Sequence, residues 1–172
     1  SNWTSVTGSA AGTAYNEWTI PDNMNTTLQG LIKVTDTSDA TVTDTSDNQF
    51  VVKGDLVLLR PNATDALVAN VVFPVNWTSK GVYPGNDTVK IQYSKNDGEY
   101  MSIHNDTGGS ADAVPAQAGT FPWKVDDNLS PNIKIKITRN LDTDVYDISS
   151  QFKIVGRLNL TSPVGEDEWK VG

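Results

Sequence analysis

The chain has 172 residues, 37% of them apolar, with 13 Lys and Arg against 21 Asp and Glu and a formal net charge of -8. That is enough apolar material for one large or two small buried cores, and an acidic balance with no basic cluster removes the attraction to phosphate on which nucleic-acid binding depends. No stretch approaches the ~20 apolar residues of a membrane-spanning helix, and the chain has no cysteine for a disulfide framework or thiolate chemistry.

Four segments alternate apolar with polar residues, as half-buried antiparallel strands do. In chain order they are GLIKVTD (30–36), VKIQYS (89–94), NIKIKIT (132–138) and RLNLTS (157–162). Between the second and third lies KNDGEY, where Asn96, Asp97 and Gly98 predict a hairpin turn because these residues accept a positive φ. Many short strands with frequent turns predict an all-β sandwich.

The sequence also repeats itself. NWTS occurs at Asn2 and again at Asn76, and GTAYNEWTIPDN (12–23) matches GTFPWKVDDN (119–128), pairing Trp18 with Trp123. The longest match sets residues 31–61 against 133–163 without a gap, so that Phe50 falls on Phe152, Gly54 on Gly156, Leu56 on Leu158 and Pro61 on Pro163. The NWTS phrases lie closer together than the other matched pairs, so the first copy lacks about thirty residues between Ser5 and Gly12. The expected organisation is a partial or abbreviated repeat at 1–54, a complete repeat at 55–156, and at 157–172 the first strand of a following repeat or a donor strand. The chain reads as a window cut from a periodic array.

Asn-X-Ser/Thr occurs at Asn2, Asn25, Asn62, Asn76, Asn86, Asn105, Asn128 and Asn159, eight of fifteen asparagines. The excess over chance predicts N-linked glycans on an exported protein. Export, dense sequons and no cysteine fit an archaeal surface protein better than a disulfide-stapled ectodomain.

The order W-T-S-x-G, VKIQYSKNDGEY, GTFPWKV, IKIKITRNLDTDVYDISSQFKIVG and LNLTSPVGEDEW runs through nearly the whole chain. It resembles the tandem immunoglobulin-like repeats of large prokaryotic surface proteins, and is similar also to the Ser/Thr-rich repeats of fungal cell-wall glycoproteins. The resemblance implies tandem Ig-like, fibronectin III-type antiparallel β-sandwiches used outside the cell as spacer, stalk or filament modules, and no enzymatic activity. Two departures are the short first copy and SPVGEDEW, where the family more often has a Gly-Gly-Glu turn.

Few residues offer chemistry. The one histidine, His104, in a sequon-bearing turn, supplies neither a triad nor a zinc site without further partners. The Asp-rich loops give Asp44, Asp47, Asp142, Asp144 and Asp147 as candidate calcium ligands, although their spacing is not that of an EF-hand and a solvated loop is the plainer reading. Trp18 and Trp123 are expected in a core, Trp3 and Trp77 packed inward beside outward sequon asparagines, and Trp169 exposed. Arg157, Leu158, Asn159, Leu160, Thr161 and Ser162 are the candidate donor strand, since an unpaired alternating strand invites another chain. The expected function is a glycosylated structural subunit at the cell surface, joined head to tail with copies of itself. The alternative is an adhesin or carbohydrate-binding module, tested through Trp169 and Trp77.

Overall fold

The computed structural model describes Trp3, Ser5 and residues 18–83, 85–162, 165, 166 and 168–172. Among them are fourteen strands and no helix, so the chain is all-β. The strands are β1 (Thr27–Gly30), β2 (Lys33–Thr35), β3 (Thr43–Thr45), β4 (Phe50–Val52), β5 (Asp55–Arg60), β6 (Ala66–Val68) and β7 (Val72–Lys80). They continue with β8 (Thr88–Lys95), β9 (Met101–Ser102), β10 (Val114–Pro115), β11 (Thr120–Lys124), β12 (Ser130–Arg139), β13 (Tyr146–Ile148) and β14 (Phe152–Val155).

Residues from Asp55 to Val155 build a two-layer sandwich. One layer is β11-β7-β5, and the other is β10-β8-β12-β14-β6, with β9 also on β8 and β13 also on β12. All pairs are antiparallel except β14 with β6. The chain therefore contributes β5 to one layer, turns at Pro61, and contributes β6 to the other, so that one stretch serves both sheets of the sandwich.

Strand alternation explains the core. In β12, Ile133, Ile135 and Ile137 point inward and are fully buried, and the lysines between them are not. Val89, Ile91 and Tyr93 do the same in β8, and Trp123 and Val75 meet them from the other layer, with the Tyr93 and Trp123 rings 5.4 Å apart. Burying side chains of this size stabilises the fold by about 1.5–3 kcal/mol each.

The turn after β8 is a correction in detail. Asn96 and Asp97 carry the positive φ, 53° and 57°, while Gly98 donates its N–H to the Lys95 carbonyl. Two successive left-handed residues make a type I′ turn, whose twist matches the flanking strands.

Residues 27–52 form two small ladders, β1 with β4 and β2 with β3. They reproduce the hairpin of β12 with β13 and β14 rung for rung. Ile32 N–H to Ser46 Oγ corresponds to Ile135 N–H to Ser149 Oγ, and the return bonds from Ser46 and Ser149 N–H correspond as well. Asp44 accepts from the Thr45 N–H as Asp147 accepts from that of Ile148. Both ladders slip at the same rung, between Thr27 and Gly30 and between Ser130 and Ile133. The gapless alignment is therefore corrected: Ile32 stands on Ile135, whereas Phe50 stands on Phe152, because the loop Asp47–Gln49 is one residue longer than Ser150–Gln151. The predicted strand at 30–36 is also broken, since Leu31 and Ile32 lie between β1 and β2.

Candidate assembly site

The two equivalent hairpins differ in what covers them. Ile135 and Ile137 are 0% exposed, whereas their counterparts Ile32 and Val34 are 44% and 67% exposed. The rungs and serine bonds are the same, but the second hairpin faces β11, β7 and β5, and among the described residues no such layer faces the first. Beside the first hairpin is a cleft of about 350 Å³, whose lining includes Trp3, Trp18, Leu31, Ile32, Lys33 and Phe50. Trp18 meets Phe50 edge to face at 6.4 Å, and Lys33 Nζ lies 5.8 Å from the Trp3 ring centre. The outer edge of β4 has no backbone partner among the described residues, whereas the outer edge of β14 carries β6.

The predicted donor strand lies in the segment after Gly156. Leu158 is 99% exposed and Trp169 73%, while Leu56 and Leu67, their counterparts in the complete sandwich, are 2% exposed. Arg157–Ser162 belongs to no strand here. The alternation that predicts a strand there is present, but no ladder among the described residues includes it.

The joint between the two repeats shows how one follows another. The chain passes from β4 to β5 through Lys53 and Gly54. Thr26 N–H donates to the Val82 carbonyl, Val82 N–H to Met24 and Gly81 N–H to Asp22. Lys53 Nζ is held by Asp144 at 3.0 Å and by Asp142, and these bonds raise its pKa. Beneath them Arg139 is buried, with Nε 2.5 Å from Asp87 Oδ2, its guanidinium 5.0 Å from the Tyr83 ring centre, and Nη2 donating to Thr26 Oγ1. Tyr83 donates its hydroxyl to the Asp55 carbonyl at 3.0 Å, and burial pushes that phenol up to about 12. Sequence reasoning missed Arg139, Asp87 and Tyr83, and the ion pairs of Lys53. The available signal was Arg139 itself, a charge where an alternating strand wants an apolar residue.

Other predicted residues lie as follows. No group of three metal-ligating side chains converges among the described residues. Asp142 and Asp144 clasp Lys53, Asp147 Oδ2 accepts from the Leu58 N–H at 2.7 Å, and Asp44 accepts from Thr45, while Asp47 is exposed in its loop. Trp77 and Trp123 are in the core, so Trp77 is no sugar platform, while Trp3 and Trp169 are exposed and Trp18 is half-buried. His104 is exposed and bridged to Ser110.

Of the sequons, Asn2 lies outside the described residues. Asn25, Asn62, Asn86 and Asn159 are exposed, and Asn76, Asn105 and Asn128 are half-buried. At Asn62 and Asn105 the side-chain oxygen accepts from the N–H and hydroxyl of the sequon Thr. Asn128 instead spends its amide nitrogen on the Tyr93 hydroxyl at 2.6 Å, and Asn76 accepts from Thr120. No protein-family model and no curated protein matches this sequence.

Proposed function

We propose that this chain is a structural subunit of a glycosylated extracellular filament, stalk or surface layer, whose copies join head to tail by strand donation. One observation carries the reading: the hairpin at 27–52 keeps Ile32 and Val34 exposed although Ile135 and Ile137 of the hairpin at 130–155, with the same rungs, are buried. A face built for burial calls for a partner, and the exposed Leu158 and Leu160 offer one of matching alternation. Such a contact is heterologous and does not close on itself, so it propagates. The dense sequons support the extracellular placement, with glycans on Asn62, Asn86 and Asn105 shielding turns.

Negative-stain electron microscopy of native material tests this reading. Regular filaments with an axial repeat of one or two sandwich lengths agree with it, and dispersed single particles contradict it. Intact mass tests the glycans: a mass equal to the bare polypeptide removes that part.

A second reading, an adhesin or carbohydrate-binding module, draws on the exposed Trp169 and the aromatic cleft around Trp3 and Trp18. Glycan-array binding lost in Trp169→Ala would favour it.

A further inference from the structure

Resting on the strand-donation reading, we infer that the donated element is the whole of residues 157–171 of a second copy, and that its far end forms a parallel ladder on the free edge of β4. The rungs are Val51 with Glu168, Val52 with Trp169, and Lys53 with Lys170. The basis lies in the complete repeat, where the chain after Gly54 serves both layers. Leu56 sits in β5, and beyond Pro61, Ala66, Leu67 and Val68 pair in parallel with Lys153, Ile154 and Val155.

The segment after Gly156 follows the same plan residue by residue. Leu158 and Leu160 stand for Leu56 and Leu58, Pro163 for Pro61, Asp167 for Asp65 and Trp169 for Leu67. The last of these matches concerns the backbone. Asn70 closes the β6 turn at φ 63°, a conformation that favours glycine, and Gly172 occupies the corresponding place. The acceptor is shaped accordingly. Val51 and Val52 stand where Lys153 and Ile154 stand, with the same slipped rung against β1, and their outer edge carries no strand among the described residues.

In this register Trp169, not a leucine, enters the core of the first repeat.

Because the chain has no cysteine, a disulfide reports the register directly. Residues directly opposite in neighbouring strands lie within the Cα separation a disulfide tolerates, whereas a displacement of two residues, about 6.6 Å along the strand, takes them beyond it. Full-length Val51→Cys is mixed with full-length Glu168→Cys, or with Lys170→Cys as the displaced control, under mild oxidation. All three positions are exposed and outside the core. The expected result is a covalent dimer with Glu168→Cys and its loss with Lys170→Cys. A dimer with Lys170→Cys alone overturns the register and leaves strand donation standing. Assembly without a disulfide in either mixture overturns the parallel ladder. A chain that sediments as a monomer and cross-links in neither mixture overturns both the ladder and the assembly reading beneath it.

Discussion

The hairpins at 27–52 and 130–155 share their rungs, their slipped register and their serine bonds, yet one is a core and the other a surface. Backbone pairing is thus written in the hairpin's own residues, whereas burial depends on a second layer that the hairpin does not supply. The contrast is sharpest at one position. Asp36, at the end of the first hairpin, is exposed and accepts from Ser38 and Asp39, which lowers its pKa, while Arg139 in the same place is sealed against Asp87.

Substitutions at equivalent places sharpen the comparison. The largest effect is expected for Arg139→Ala, which leaves Asp87 buried without its counter-charge and costs about 3–5 kcal/mol. Asp36→Ala should leave stability nearly unchanged. Urea unfolding of the two variants checks both outcomes, and equal effects would erase the distinction. Next, Ile135→Ala opens a cavity and costs about 2–5 kcal/mol, against about 0.5 kcal/mol or less for Ile32→Ala in the unassembled chain. In assembled material Ile32→Ala should become costly, and thermal melts of the two forms read that change.

The joint glycines come third. A Cβ on Gly54 would meet the Lys80 carbonyl oxygen at 2.7 Å and the Tyr83 hydroxyl closer still, so Gly54→Ala should cost about 1–3 kcal/mol. On Gly156 the nearest atom is Leu129 Cδ1 at 3.4 Å, and Gly156→Ala should be near neutral in the single subunit.

The smallest effect is pH-dependent, and in the complete sandwich it involves two carboxylates. The Arg60 guanidinium holds Asp65 below the ordinary value of 3.8, and Ser102 and Ser110 hold Asp112 below it. Carboxylates depressed in the folded state add stability above that ordinary value, and the contribution disappears as pH falls through the depressed values. Asp65→Asn should flatten acid unfolding by about 1 kcal/mol or less.

Much of the fold was legible. Alternation located β8 and β12, Asn-Asp-Gly located the turn at 96–98, and the repeats located the equivalence of Phe50 with Phe152. The one-residue difference at Asp47–Gln49 was not legible, because loop length is tolerated where no ladder fixes it. The joint was harder still. Lys53 with Asp142 and Asp144, and Arg139 with Thr26, join residues far apart in the chain, and no local pattern marks such pairs. The Asp-rich loop suggested a cation, and in the second repeat the cation is a lysine of the neighbouring repeat.

The central claim is that the open hairpin is covered by the segment after Gly156 of another copy. Sedimentation of the full chain beside a chain lacking residues 157–172 tests it most directly. The account predicts concentration-dependent polymers from the full chain and a folded monomer from the shortened one, and polymers of equal length from both would contradict it.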